Sequence, residues 1–268
     1  MSSYTVDRFD HDGLTMLVRR YARGEGSDTA SPLTFLLVHG IGVSPDYFSR
    51  LSEQLRPHGI VYAVELPGFG ATPRPDRALG IEDFAALLIA FSEVWNLDNP
   101  VLVGHSMGTQ IVTEMAVRKP ALSDRVVLMG SVVDPQAPTP FGQGFRLFRD
   151  MLVEPPSANW IVLMDYLRCG PRWYLTELPA MLTYPLEERL PLLQAYTLVV
   201  RGARDPVAPA EWSKRIAELV PRSARLDIPK AAHVVQHRAA PVVAAAILDH
   251  ARSSVVDPGL HFRGDRER

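Results

Sequence analysis

The chain has 268 residues, of which 47% are hydrophobic, and its formal net charge at pH 7 is −2. A chain of this length and composition can bury a full core, so we expect one folding unit. Because Lys and Arg are scattered along the sequence instead of clustered, the charge pattern predicts no nucleic-acid partner and no attraction to an anionic membrane.

The single cysteine, Cys169, excludes an intramolecular disulfide and any metal site built from several cysteines. The N-terminus carries no basic region followed by an apolar one. No stretch reaches the roughly 18 apolar residues that a membrane span requires. We therefore expect a cytoplasmic protein.

The first half of the chain alternates apolar runs of strand length with amphipathic helical patterns. Continuous apolar runs predict strands that are buried on both faces, as in a parallel sheet. The predicted strands are residues 14–20, 33–38, 60–64, 100–103 and 125–130. The predicted helices are residues 46–56, 81–95 and 109–116, and residues 24–28 are predicted to form a flexible turn.

Residues 134–191 interrupt this alternation, because they are rich in proline and large apolar residues and contain no convincing buried strand. Apolar spacing predicts one helix over residues 141–152 and a second that Ser157 caps. The apolar positions of this second helix are Ile161, Met164 and Leu167.

The alternation then resumes, with strands predicted over 197–200 and 224–228 and helices over 210–219 and 239–251. The pattern is typical of an α/β fold with a doubly wound, mostly parallel sheet. We expect an α/β core in residues 1–133 and 192–252, a helical cap in residues 134–191, and a poorly ordered tail in residues 253–268.

A Gly-x-Ser-x-Gly turn joins a predicted strand to a predicted helix, and it places Ser106 between Gly104 and Gly108. This arrangement is typical of a nucleophile elbow, in which only residues without a Cβ fit on both sides of the serine. The turn lifts the hydroxyl clear of the sheet. It also directs the backbone N–H of Met107, at a helix N-terminus, towards a developing oxyanion.

A serine hydroxyl needs an adjacent base, and the base needs a group that orients it. Asp205 and His233 each follow a later predicted strand, which gives the order Ser, Asp, His. Asp134 also stands at a strand end and is an alternative acid. His233 and His237 are four residues apart, but no glutamate lies between them, which disfavours a zinc site.

Together these motifs resemble the α/β-hydrolase family over roughly residues 14–251. The motifs that carry the resemblance are His39-Gly40, Pro67-Gly68-Phe69-Gly70, Gly104-His105-Ser106-Met107-Gly108, Gly202 to Asp205, and His233. The resemblance implies that Ser106 is the nucleophile, His233 the general base and Asp205 the orienting acid.

The same resemblance implies an oxyanion hole formed by the backbone N–H groups of Ile41 and Met107, and no metal or other cofactor. The cap is expected to line an apolar substrate pocket with large side chains. We expect these to be Phe141, Phe145, Trp160, Met164 and Trp173.

The leading hypothesis is a serine hydrolase that cleaves a small, largely apolar carboxylic ester, lactone or thioester through an acyl-enzyme. One alternative is a carbon–carbon bond hydrolase of the aromatic-degradation type, which needs a cation for a substrate carboxylate. Arg146, Arg149, Arg168 and Arg172 of the cap could supply it. Perhydrolase-like activity and a non-catalytic small-molecule receptor are further alternatives. A monomer or a homodimer is expected.

Overall fold

The computed structural model describes residues 4–24, 31–135 and 139–253, so most of the predicted turn at 24–28 and of the predicted tail lies outside the described residues. Eight strands form one sheet in the order β1-β2-β4-β3-β5-β6-β7-β8. They are β1 (Tyr4–His11), β2 (Leu14–Tyr21), β3 (Leu33–Val38), β4 (Gly59–Glu65), β5 (Val101–His105), β6 (Arg125–Met129), β7 (Tyr196–Gly202) and β8 (Ser223–Ile228).

The six strands from β4 to β8 in the sheet order pair in parallel, and β2 runs antiparallel to both of its neighbours. This confirms the predicted doubly wound, mostly parallel sheet. Alternate residues of β3 enter two different cores, with Leu36 and Val38 on one face of the sheet and Phe35 and Leu37 on the other. Burial on both faces explains why this strand is a continuous apolar run.

Helices cover both faces of the sheet. The core on one face includes Phe84, Ile111 and Ile216, and the core on the other includes Leu51 and Val243. The described helices are α1 (Ser49–Leu55), α2 (Ile81–Val94), α3 (Met107–Arg118), α4 (Pro140–Met151), α5 (Pro156–Cys169), α6 (Pro171–Thr183), α7 (Leu186–Arg189), α8 (Ala210–Leu219), α9 (Val235–Arg238) and α10 (Ala240–Arg252). In the described part of the chain, no helix is long and apolar enough to cross a membrane.

Two features differ from the sequence-based expectation. Strand β1 was not predicted, because Phe9 is its one buried residue and most of its other positions are polar. Helix α5 begins at Pro156, so Ser157 lies inside the helix and does not cap it. The Ser157 hydroxyl instead lies 3.1 Å from Nε2 of His237.

Helices α4 to α6, within residues 139–185, form a helical insertion between β6 and β7. All four acidic side chains of this insertion are buried, and each accepts a hydrogen bond from a backbone N–H of the core. The pairs are Asp150 with His233 (2.9 Å), Glu154 with Val234 (2.7 Å), Asp165 with Ser44 (2.9 Å) and Glu177 with Leu79 (3.2 Å). The insertion is therefore attached to core loops by side-chain carboxyl groups that are buried away from solvent.

Two buried glutamates have opposite electrostatic surroundings. Burial raises the pKa of Glu177 to about 7, and the hydrogen bond from Leu79 lowers it too little to compensate. Burial also raises the pKa of Glu114, but hydrogen bonds from Tyr184 and Arg118 and the charge of Arg189 outweigh it and leave that pKa below its ordinary value. Ionisation therefore destabilises the fold at Glu177 and stabilises it at Glu114.

We expect Glu177→Gln and Glu114→Gln to change stability in opposite directions. The folded chain holds the Glu177 proton more tightly than the unfolded chain, so this group lowers the free energy of unfolding as pH rises from about 4.5 to 7. Glu177→Gln should thus stabilise the protein by about 2 kcal/mol at pH 8 and by nothing at pH 4. Glu114→Gln should destabilise it by about 1 kcal/mol at pH 8, because its arginine partners are partly solvated.

Urea denaturation at both pH values measures these differences. The control is Glu218→Gln, which breaks an exposed pair with Lys214 and should change stability by less than about 0.5 kcal/mol. Destabilisation by Glu177→Gln at pH 8 would contradict the interpretation.

Candidate active site

Ser106 lies at the turn between β5 and α3 with a φ of +54°, a value that few residues other than glycine adopt. Its N–H donates to the Met129 carbonyl at 3.0 Å, which anchors the turn to the neighbouring strand end. A Cβ at Gly104 would lie 2.4 Å from the Gly108 carbonyl oxygen, and a Cβ at Gly108 would lie 2.1 Å from the Val38 carbonyl oxygen. The backbones therefore approach as closely as the sequence pattern predicts.

The side chains of Asp205 and His233 meet above the ends of β7 and β8. Nδ1 of His233 lies 2.9 Å from Oδ2 of Asp205. The other oxygen, Oδ1, accepts the N–H groups of Val207 (2.7 Å) and Ala208 (2.9 Å), which fixes the carboxylate in place. A proton on Nδ1 satisfies the carboxylate, so Nε2 of the neutral ring is left with its lone pair.

This pairing shifts both titrations. Burial lowers the pKa of His233, but the charge and hydrogen bond of Asp205, with smaller contributions from Asp150 and Glu154, outweigh it and raise the pKa to about 9. Burial raises the pKa of Asp205, but the charge of His233 and the hydrogen bonds that the carboxylate accepts leave it below its ordinary value. The aspartate therefore stays ionised at neutral pH.

A second histidine connects three loops of the site. Nε2 of His105 lies 2.9 Å from the His233 carbonyl, so Nε2 carries the proton. Nδ1 therefore accepts the Tyr47 hydroxyl at 3.0 Å, and the Tyr47 oxygen accepts the Gly40 N–H at 2.9 Å. Burial lowers the pKa of His105 to about 3, which keeps the ring neutral and this pattern of donors intact.

His39 holds the loop after β3 in a similar way. Its Nε2 accepts the Leu66 N–H at 3.0 Å, and its Nδ1 donates to the Gly40 carbonyl at 2.7 Å. Burial lowers its pKa to about 4. Both histidines therefore act as neutral loop-shaping groups.

One cavity connects these groups. Ser106 and His233 both line it, and most of its other described lining residues are apolar, among them Ile41, Val132, Val162, Leu163, Met181 and Val207. Met107 occupies the first position of α3, so its N–H has no acceptor within the helix. Ile41 lies on the cavity wall beside Gly40. The cavity can thus admit an apolar molecule next to a serine, an imidazole and helix-terminal N–H groups.

Asp150 of the helical insertion also lines this cavity. Its side chain is buried, and its Oδ1 accepts the N–H of His233. Burial raises its pKa to about 7, although the charge of His233 opposes the shift. The group therefore places a carboxyl that titrates near neutrality beside the imidazole.

The structure distributes the other predicted site residues differently. Asp134 lies 2.6 Å from Arg146. Trp160 and Met164 line a separate surface cleft, and Trp160 is 64% exposed. The indole of Trp173 packs against the backbone of Gly68. The side chains of Phe141 and Phe145 lie outside the described set.

The cavity wall also contains residues that sequence reasoning did not single out as site residues, among them Tyr47, Asp150 and Tyr174. Tyr47 falls within a predicted helix, and no spacing rule distinguishes its hydroxyl from a surface one. Asp150 lies near the end of α4 and accepts a hydrogen bond from a backbone N–H. Almost every residue has such a group, so no sequence motif could have identified the partner.

Comparison with known proteins shows which family the chain resembles. A model of the Alpha/beta hydrolase family matches residues 35–246. A 2-hydroxy-6-oxo-2,4-heptadienoate hydrolase of Pseudomonas putida is 27% identical over 237 residues, which cover 75% of this chain and 82% of that protein. A thermophilic esterase from Thermogutta terrifontis, solved with malate bound, has a TM-score of 0.77 at 21% identity and covers 94% of this chain and 98% of that one.

Another relative matches over a shorter length. A 1-acylglycerol-3-phosphate O-acyltransferase of Arabidopsis thaliana is 33% identical over 103 residues, which are 37% of this chain and 25% of that protein. This match therefore covers a quarter of the plant protein and concerns a shared segment.

The titration of His233 distinguishes the two candidate acids. Burial lowers the pKa of His233, and in Asp205→Asn the nearest carboxylate no longer counteracts this effect. We therefore expect the pKa of His233 to fall from about 9 to about 7 or below. Asp134→Asn should leave it unchanged, because Asp134 pairs with Arg146. NMR titration of the imidazole C–H resonances measures both variants. A fall in Asp134→Asn alone would assign the acid to Asp134.

Proposed function

The chain belongs to the alpha/beta hydrolase family, and on this basis we propose that it is a serine hydrolase that cleaves an uncharged, largely apolar carboxylic ester or lactone through an acyl-enzyme. A thioester with the same acyl chemistry fits the proposal. The observation that carries it is the His233–Asp205 pair, at 2.9 Å, on the wall of the apolar cavity that Ser106 also lines.

In the proposed reaction, which proceeds from the form of the enzyme whose His233 ring is neutral, Oγ of Ser106 attacks the substrate carbonyl carbon while Nε2 of His233 takes the hydroxyl proton. Because the pKa of His233 is raised to about 9, this form is the minor one at neutral pH and its fraction grows as pH rises. The N–H groups of Ile41 and Met107 stabilise the oxyanion, with the N-terminal end of α3 adding its dipole. The tetrahedral intermediate collapses, and His233 returns the proton to the leaving oxygen. A water molecule activated by His233 then releases the acid and restores Ser106.

Within this proposal, Asp205 holds the Nδ1 proton and stabilises the imidazolium, and the helical insertion acts as the cap. The support for the cap is that its residues Leu147, Asp150, Val162, Tyr166 and Tyr174 line the cavity. The polar groups of Tyr47 and His105 hold the loop of Gly40 against the loop of His233, which positions the oxyanion donors relative to the base.

The charge of the cavity supports an uncharged substrate. Among the described lining residues there is no Lys or Arg, and Asp150 is the acidic one. Arg146 is paired with Asp134, while Arg149, Arg168 and Arg172 are exposed. The cation among these residues is the protonated His233, whose charge its partner Asp205 already balances, so a carboxylate in this cavity would face Asp150 with no further compensating cation.

Carbon–carbon bond hydrolysis is the second candidate. Its support is the similarity to the Pseudomonas putida hydrolase, whose name describes a substrate with a carboxylate. The two candidates make opposite demands on the charge beside Ser106.

Labelling with a fluorophosphonate tests the nucleophile. We expect one covalent adduct by intact-protein mass on the parent chain and none on Ser106→Ala, because an activated serine attacks the phosphorus and displaces fluoride. Ser131→Ala, which removes a buried hydroxyl at the neighbouring strand end, is the matched control and should label fully. Absence of an adduct on the parent would favour a small-molecule receptor.

A pair of aryl esters tests the substrate charge. We expect p-nitrophenyl butyrate to be hydrolysed at least about tenfold faster, in kcat/KM, than p-nitrophenyl hemisuccinate at pH 8, where Asp150 is ionised. The ratio should shrink at pH 6, because Asp150 is then protonated. Asp150→Asn should lower the ratio at pH 8 while keeping an acceptor for the His233 N–H.

Glu154→Gln is the control for this experiment, since it keeps an acceptor for the adjacent N–H of Val234 and Glu154 is absent from the described cavity lining. It should leave the ratio between the two esters unchanged. A preference of the parent for the hemisuccinate would favour a carboxylate-bearing substrate and the second candidate.

A further inference from the structure

The solvent face of α5 carries large apolar side chains, as its inner face does. Trp160, Leu163 and Leu167 follow one another at helical spacing and are 64%, 44% and 66% exposed. The opposite side of the same helix carries Asp165 and Cys169, which are buried. The exposed apolar side chains depart from the pattern expected for a helix whose outer face meets only water.

The turn before α5 extends this apolar surface. Met151, Leu152 and Val153 are 42%, 72% and 42% exposed, and the Asn159 side chain bonds the Met151 carbonyl at 2.8 Å, which holds the turn against the start of α5. We call these six residues, Met151, Leu152, Val153, Trp160, Leu163 and Leu167, the apolar face. Among the described residues, eleven large apolar side chains are exposed, and these six are a majority of them. Such clustering marks an interaction site.

The charges of the helical insertion identify the partner. Its four acidic side chains all point into the core, where each accepts a backbone N–H. The exposed charged residues of the insertion are therefore Arg149, Arg168 and Arg172, of which Arg168 also lies 3.5 Å from both Asp46 and Asp165. Although Lys and Arg are scattered along the sequence, the fold leaves this one element apolar and basic on its outside.

We infer that the apolar face is the site at which the protein docks on an anionic lipid surface. Trp and Leu side chains enter the boundary between headgroups and acyl chains, and arginines beside them bind the anionic headgroups. A second copy of this chain fits less well, because a two-fold contact through this face would bring the same arginines together.

The apolar face is continuous with the cavity beside Ser106. Met151 and Leu163 belong to the face and also line the cavity, so the cavity reaches the surface between them. An apolar molecule dissolved in the lipid could enter there without crossing water. Docking itself does not depend on the proposed hydrolysis, and its test measures binding alone.

The experiment uses the full chain with vesicles of phosphatidylcholine and with vesicles that also contain phosphatidylglycerol. We expect sedimentation with the anionic vesicles, weakened by added salt and much weaker for the uncharged vesicles. Of the four tryptophans, all within the described ranges, Trp160 is the exposed one. Brominated lipid should therefore quench the tryptophan emission of the parent, and Trp160→Phe should lose most of this quenching while still binding.

Two sets of variants separate the contributions. Leu163→Ser with Leu167→Ser should lower the vesicle partition coefficient at least about tenfold. Arg149→Gln with Arg172→Gln should remove most of the preference for anionic vesicles. Val242→Ser, at a 52% exposed valine on α10, is the matched control and should bind like the parent.

Three outcomes would overturn the inference. The first is no sedimentation with either vesicle, and the second is equal binding of the parent and the double serine variant. The third is a concentration-dependent dimer in sedimentation velocity that the double serine variant abolishes, since this result would assign the apolar face to a second copy of the chain.

Discussion

A buried carboxylate must find donors, and in this protein the donors are main-chain N–H groups of loops at the carboxyl ends of the strands. Asp150 and Glu154 bind the consecutive N–H groups of His233 and Val234, so the helical insertion and the loop that carries His233 are fixed together. Separating them while they stay buried would leave two carboxyl groups and two N–H groups without their hydrogen-bond partners. The geometry beside Ser106 depends on this attachment.

Neutral histidines complete the same arrangement from the core side. His39 and His105 are each buried enough to stay uncharged, and each uses one ring nitrogen as a donor and the other as an acceptor. Through Tyr47, His105 links the loop of Gly40 to the loop of His233. Three loops from distant parts of the chain are thereby fixed relative to one another. A reaction in which several groups take part requires such fixed geometry.

The sequence predicted the core and the meeting of Asp205 with His233, because parallel strands buried on both faces are apolar runs whose polar residues begin where the strands end. Helix α8 has the bounds that its spacing predicts. Strand β1 was missed because an edge strand in a solvated hairpin has little apolar alternation. The site residues that could be predicted are those in loops directly after strands.

The helical insertion was harder to predict, because α5 carries apolar residues on both its exposed and its buried sides. Spacing selected Ile161, Met164 and Leu167 as the packed positions, whereas Leu167 is 66% exposed and Val162 and Tyr166 line the cavity. Periodicity identifies an apolar stripe but does not say which side of the helix it faces. The carboxylates that attach the insertion bind backbone groups, and such partners leave no pattern in the sequence.

The use of backbone N–H groups as hydrogen-bond donors has a consequence for which residues can be substituted. Every residue except proline offers a backbone N–H, so positions such as Leu79 and Val234 can change side chain without losing their contact to the insertion. The acceptor oxygens, in contrast, must stay where they are, whether a carboxylate or an amide supplies them. The same loops could therefore hold a helical insertion with different side chains elsewhere, and the cavity could change shape while the attachment beneath it stays the same.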